Sequence, residues 1–312
     1  MSGNETHYLV GGTYAVLVVA SVVTWLLRRL KDPQRQDPVI NNLAARVQAW
    51  WAMVIVFTVA LAVGKPGTVI LFALTSFLAL REFVTLTPTR AGDHRALFLA
   101  FFVVLPVQYF LIYVEWYGLF SVFIPVYAFA LLSIRAAATG DTTDYLARTG
   151  KLQWGLMVCV YFVSHVPALL TLEIPGFDGR NANLLFFLVA VVQLSDVLQY
   201  VWGKLCGRRP IVPALSPNKT LEGFAGGTLS AALIGAALWW ATPFAPWQAA
   251  LLAALVTLFG FFGGLVMSAI KRDRGIKDYG STLAGHGGIL DRIDSLCFAA
   301  PLFFHLVRFY FT

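Results

Sequence analysis

YLVGGTYAVLVVASVVTWLL, residues 8–27, runs for twenty positions without a charge, and RRLK follows at once. About twenty apolar residues cross a bilayer as a helix. A cleaved export signal places its basic residues before the apolar core and a small-residue cleavage site after it. Here the charge order is reversed, so the segment is expected to be a retained first span that starts outside.

Windows of the same kind recur to the end of the chain, at roughly 8–28, 47–64, 68–87, 96–115, 117–136, 152–172, 183–204, 224–242, 247–268 and 293–311. Only 12% of the 312 residues are charged and 58% are hydrophobic, whereas a soluble domain carries about 25% charged residues. The fold class is therefore all-α: a polytopic integral membrane protein of about ten transmembrane helices with a cytoplasm-facing polar site. Residues 1–175 hold about six helices. Residues 176–312 form a C-terminal catalytic region of about four helices plus the cytoplasmic loops 203–223 and 271–292. The short GKPG and EWYG links predict tight helical hairpins. KDPQRQDP, followed by NNLAARVQAW, predicts a turn leading into an amphipathic helix at the interface.

A count of ten makes a checkable prediction about charge. Every lysine and arginine except Lys65, Arg180 and Arg308 falls in or beside a loop after an odd-numbered span. Such a bias places those loops in the cytoplasm and both termini outside, with a bacterial inner (plasma) membrane as the setting. The net charge of +7 is thus explained by topology, and no nucleic-acid partner is expected. Cys159, Cys206 and Cys297 stand far apart with no CxxC pair, so neither a disulfide framework nor a cysteine zinc site is supported; each is expected to be a small buried residue. His165 and His305 are single histidines in apolar spans, expected to be packed or bonded to backbone. Arg81 and Glu82 are expected to pair with each other. Trp50, Trp51 and Trp116 fit an aromatic belt at span ends.

Against this background HGGILDRID, residues 286–294, and KRDRGIKDYG, residues 271–280, concentrate charge and glycine. Asp291 and Asp294 share one face of a helix start, and Asp278 lies across a glycine-rich turn. Carboxylates converging there suit Mg²⁺, which takes oxygen ligands and bridges to phosphates; a second cation could share the site. Lys271, Arg272, Lys277 and Arg292 are the basic groups for phosphate oxygens. Gly285, Gly287 and Gly288 allow close backbone approach to a phosphate. SPNKTLEGFAGG, residues 216–227, places Ser216, Asn218, Lys219 and Thr220 at a helix start, where anions bind; a simple turn followed by a helix cap accounts for it equally well. It is not a P-loop. Asp196, inside the seventh span, is an intramembrane carboxylate and hence a functional candidate.

SAIKRDRGIKDYGSTLAGHGGILDRID, from Ser268 to Asp294, resembles the signature of the phosphatidate cytidylyltransferases, also called CDP-diacylglycerol synthases. Ser268, Lys271, Arg272, Lys277, Asp278, His286, Gly287, Gly288, Asp291, Arg292 and Asp294 fill that pattern in order. SPNKTLEGFAGG is similar to the family's S-P-K-K-T-x-E-G-x-x-G-G, with Asn218 in place of a lysine. The likeness covers about residues 190–300. It implies a CTP:phosphatidate nucleotidyltransferase of phospholipid biosynthesis, working in the bilayer on CTP and phosphatidic acid with Mg²⁺ and with a homodimer as one assembly. Lys271, Arg272, Lys277, Asp278, His286 and Arg292 would be catalytic, with His286 open to a purely structural role. Ser216, Asn218, Lys219, Thr220, Ser268, Gly287 and Gly288 would bind substrate, and Asp278, Asp291, Asp294 and Asp196 metal. One departure stands out. Members usually carry G-D-L-x-E-S before the K-R pair, but residues 263–268 read GGLVMS. Gly264 stands where the family has a metal-binding aspartate, so Gly264→Asp should raise the rate if the native site lacks a ligand. A CTP-dependent polyprenol-type lipid kinase would want the same residue types. A transporter would scatter its charge at mid-bilayer in matched halves, unlike this chain.

Overall fold

The computed structural model describes residues 4–31, 36–280 and 287–312. Among them every regular element is helical, and one isolated antiparallel bridge joins Pro210 to Thr220. The helices are α1 (Asn4–Lys31), α2 (Pro38–Val63), α3 (Lys65–Thr85), α4 (Ala91–Tyr113), α5 (Tyr117–Ala137), α6 (Tyr145–Thr171), α7 (Asn181–Cys206), α8 (Leu221–Ala237), α9 (Pro246–Asp273) and α10 (Leu290–Phe311). All but α8 are long and apolar enough to cross a membrane. α8, with 17 residues, is the shorter tenth. A three-residue turn at Trp239–Ala241 ends what the hydropathy pattern carries on to residue 242.

The outer faces of the bundle are oily: Val16, Phe102, Trp247 and Phe309 are all largely exposed. A soluble protein does not present contiguous apolar surface on this scale, so lipid is the solvent of these faces. Some polar groups turn inward and bond one another there. Gln108 donates to the Phe120 carbonyl and to Ser164 Oγ, and Ser76 bonds Tyr109. α4, α5 and α6 each contain a stretch of wider turns, at residues 100–104, 123–128 and 157–162. Two of these stretches precede Pro106 and Pro167 and one contains Pro125. A proline has no N–H to give, so the helix must widen or break around it.

Residues 38–46 do not form a separate interfacial helix. Pro38 occupies the first turn, Asp37 caps it by accepting from Val39 and Ile40 N–H at 2.8 and 3.3 Å, and α2 continues unbroken to Val63. Trp51 therefore lies mid-helix, where its indole donates to Ser21. Cys159 and Cys297 are buried, but Cys206 is exposed as the last residue of α7.

Glycine sets the spacing of α7, α8 and α9. A Cβ at Gly223 would come within 2.7 Å of the Gln199 carbonyl and 3.0 Å of Gly203 Cα. One at Gly227 would fall 2.3 Å from Gln199 Cγ and 2.9 Å from its backbone. Small residues four apart are the usual device for close helix contact in lipid. Gly227→Val should therefore lower stability by about 1–3 kcal/mol, the usual cost of overpacking, read as an earlier thermal midpoint in detergent. An unchanged midpoint would show that α7 and α8 can separate freely.

Candidate active site

The ends of α3, α7 and α9 and the start of α10 meet at one end of the bundle, together with the loop segments 207–220, 274–280 and 287–289. Two carboxylates build the turn that opens α10. Asp291 Oδ2 accepts from the N–H of Tyr279 at 2.8 Å and of Gly288 at 2.9 Å, while Oδ1 receives Lys271 Nζ at 3.0 Å. Glu82, arriving from α3, accepts from the N–H of Ile289 at 3.0 Å and of Leu290 at 2.9 Å. These are the first, otherwise unpaired, donors of α10, and negative charge suits that helix end.

Glycine admits both carboxylates. Gly287 has φ +78°, and a Cβ there would lie 2.8 Å from Asp291 Oδ2; one at Gly288 would lie 2.3 Å from Glu82 Oε2. This corrects one expectation. The Gly288 N–H is not free for a phosphate, because the protein's own carboxylate holds it. A second correction concerns Arg81, which is exposed while Glu82 is buried. Adjacent helical residues point about 100° apart, and Glu82 faces the glycine turn.

Beneath this turn lies a second cluster. Ser295 donates its N–H to Asp294 Oδ1 at 2.8 Å and its hydroxyl to Asp196 Oδ1 at 3.2 Å, so one residue links carboxylates of α10 and α7. Lys219 reaches in from the loop before α8. Its ammonium lies over the Phe261 ring at 4.7 Å and donates to the Phe261 carbonyl at 3.5 Å. Asp196, Asp294 and Lys219 lie within electrostatic reach of one another. Burial holds the Lys219 ammonium below its ordinary pKa, and the two carboxylates push it the other way.

The loop that carries Lys219 is held on both sides. Ile211 N–H donates to the Lys219 carbonyl at 2.9 Å and Leu221 N–H to that of Arg209 at 2.9 Å. Glu222 Oε2 accepts from the N–H of Arg208 and Arg209 at 2.9 and 3.1 Å. Thr220 caps α8, its hydroxyl accepting from Gly223 N–H at 3.1 Å, so the helix-cap reading of TLEG applies to it. Arg272 is a clasp between loops, donating to the carbonyls of Leu215 at 3.3 Å and Ile276 at 3.2 Å. Ser268 returns its hydroxyl to the Gly264 carbonyl at 2.7 Å. Arg292 is half-buried near the cluster, and its carbonyl accepts from Gln193. Ser216 lies half-buried in the loop, and Asn218, Lys277 and Asp278 are exposed on the rim. Gly285 and His286 lie outside the described residues.

The arrangement thus sorts the acidic residues. Glu82 has both oxygens occupied by backbone donors, Asp291 has one taken by backbone N–H groups and the other by Lys271, and Asp278 sits at the water-facing edge. Asp196 and Asp294 are the half-buried pair facing a cation. Among the described residues no three acidic, histidine or cysteine side chains gather into a metal cage. Two carboxylates are nevertheless the protein share usual for a Mg²⁺ that completes its shell with substrate phosphates. Glu82 is the participant that sequence reasoning misplaces, since a lone acid at the end of a span has no motif of its own.

A sequence-family model described as the cytidylyltransferase family matches residues 44–310. The uncharacterized protein YnbB of Escherichia coli (strain K12) is 40% identical over 301 residues, covering 95% of this chain and 96% of that protein. The phosphatidate cytidylyltransferase of Staphylococcus saprophyticus is 40% identical over 130 residues, and that of Staphylococcus haemolyticus 42% over 127. Those two matches cover 40% of this chain and 50% and 48% of the respective relatives. The chain therefore spans about half the length of the staphylococcal enzymes.

Proposed function

The chain belongs to the cytidylyltransferase family of nucleotidyltransferase enzymes, and from that premise we propose that it transfers the cytidylyl group of CTP to phosphatidic acid. The products are CDP-diacylglycerol and pyrophosphate. The observation that carries this reading is the meeting of Asp196 and Asp294 with Lys219 at one end of a lipid-facing bundle, ringed by Lys271, Arg292 and Lys277. Acidic groups for a divalent cation and basic groups for phosphates are what a reaction between two phosphate-bearing substrates requires.

The lipid phosphate oxygen attacks the α-phosphorus of CTP, and the bond from that phosphorus to the oxygen bridging it to the β-phosphate breaks. Pyrophosphate leaves with the bonding electrons. Both reactants are anions, so the work of the protein is positioning and charge neutralisation. Lys219, Lys271 and Arg292 hold phosphate oxygens, and Lys277 draws the nucleotide in from the rim. Arg272 and Glu222 keep the two loops in register around it. No protein nucleophile is needed, since the lipid supplies one. Mg²⁺ held by Asp196 and Asp294 would supply Lewis-acid neutralisation of the triphosphate.

The site lies at the bundle end where the basic loops gather, which the positive-inside rule places in the cytoplasm, with both termini outside. CTP then arrives from water, and the acyl chains stay in the bilayer against the exposed apolar face of α7 at Leu194, Val197 and Val201. The test is purified protein in lipid or detergent with α-labelled CTP, phosphatidic acid and Mg²⁺. The label should appear in a CDP-lipid with stoichiometric pyrophosphate. CDP released together with a phosphorylated lipid alcohol, when one is supplied, would instead identify a CTP-dependent kinase. Absence of CDP-lipid across a range of phospholipids and divalent metals would refute the proposal.

A further inference from the structure

Gly264 and Lys219 are separated by 45 residues in the chain and meet at one point. A Cβ built on Gly264 would lie 2.7 Å from Lys219 Nζ and 3.6 Å from Ser295 Oγ, its two near contacts beyond its own stretch of helix. The space that any side chain at 264 would enter is therefore filled by an ammonium. Ser295, on its other side, is the residue that binds both Asp196 and Asp294. The lysine cannot easily leave. Its backbone is pinned by the Ile211 hydrogen bond, and its ammonium is stacked on Phe261 in a half-buried setting.

We propose that Lys219 is a resident cation of this site, standing in the space left by the missing side chain of Gly264 and neutralising the Asp196–Asp294 pair. It follows that the nucleotide-free pair holds a divalent ion only weakly, and that the ion is taken up together with the triphosphate. The inference rests on the metal role proposed for Asp196 and Asp294, but its consequences can be read without turnover. A fixed positive charge within electrostatic reach of a carboxylate pair opposes a second cation by an amount that water screens poorly in a half-buried site. A triphosphate reverses the balance, because it brings enough negative charge to satisfy the lysine and the incoming ion together.

The experiment is Mn²⁺ binding, followed by electron paramagnetic resonance, to the full-length protein without nucleotide. Wild-type protein should bind Mn²⁺ weakly, and Lys219→Met should tighten binding by about tenfold or more, the scale of one charge removed from a half-buried site. Lys219→Arg, which keeps the charge, should remain weak. Should Lys219→Met fail to fold, Gly264→Asp carries the test. A carboxylate there must push the ammonium aside and adds a negative charge, so it should also tighten Mn²⁺ binding with Lys219 retained in the sequence. Tight Mn²⁺ binding by the wild type without nucleotide would overturn the proposal. So would unchanged Mn²⁺ affinity in Lys219→Met with weakened CTP binding, which would make Lys219 a phosphate ligand only. Failure of the cytidylyl-transfer assay in wild-type protein would instead concern the substrates, and leaves this readout independent.

Discussion

Asp294→Asn should lower the rate of cytidylyl transfer by about a thousandfold, the scale on which a preorganised electrostatic group at a reacting centre acts. The substitution keeps the size of the side chain and one oxygen, so the 2.8 Å bond from Ser295 N–H survives. What it removes is the negative charge, and with it half of the carboxylate pair that faces Lys219. Thermal stability should change little, because the repulsion between Asp196 and Asp294 is relieved as the attraction to Lys219 is lost. Asp278→Asn provides the contrast. Asp278 is exposed at the rim, where water screens its charge, and its loss should cost less than about tenfold in rate. The check is kcat at saturating CTP and lipid for both variants, beside thermal midpoints. Full activity in Asp294→Asn, or a larger defect in Asp278→Asn, would invert the assignment of the two carboxylates.

How far such a site can be read beforehand depends on contrast. In a chain with so few charges, Asp196 and the cluster from Lys271 to Asp294 stand out because lipid penalises each charge that lacks a reason. The ten apolar helices are legible on the same ground, although α8 is shorter than a span, and so is the gathering of basic residues at one end. Their internal detail is not. α2 absorbs residues 38–46 because Asp37 and Pro38 start a helix that nothing afterwards stops, and the hydropathy window sees only its apolar part. The three wide-turn stretches in α4, α5 and α6 depend on where prolines fall within packed helices. Asp291 reads as a metal ligand from composition, yet its oxygens serve Lys271 and two backbone N–H groups. Nothing in DRID separates Asp291 from Asp294. Three residues of helix turn one towards the glycine loop and the other towards α7. Gly264 is legible only as a departure, because the ammonium beside it comes from a loop 45 residues away.

Glu82→Gln should lower both stability and rate, although Glu82 holds neither nucleotide nor lipid in the proposed mechanism. Its carboxylate accepts from two consecutive N–H groups that lie 207 and 208 residues further along the chain. Glutamine offers one oxygen to two donors and turns an N–H₂ group towards the other, so one buried N–H loses its acceptor and meets a donor. A hydrogen bond to a charged group contributes about 1.5–3 kcal/mol, and the negative end against the α10 dipole adds to it. A fall of about 2 kcal/mol is therefore expected. The rate should fall as well, because the turn Glu82 holds is the one that sets Asp291, and through Lys271 and the first turn of α10 the position of Asp294. The defect should appear in kcat more than in the KM for CTP, since Lys219, proposed to hold phosphate, lies on a different loop from this turn. Glu82→Asp keeps the charge but is one methylene shorter, and it should recover part of the loss. Hydrogen exchange separates positioning from general instability: amides 288–291 should lose protection in Glu82→Gln before those in the middle of α10 do. Wild-type protection at those amides together with wild-type kcat would show that α10 begins correctly without Glu82. The glycines at 287 and 288 would then answer to Asp291 alone. But Gly288 leaves no room for a Cβ because Glu82 Oε2 is there, and Gly280 is closed in the same way, 2.9 Å from Glu82 Oε1. Two glycines cleared for one buried carboxylate argue that α3 is built to reach the site.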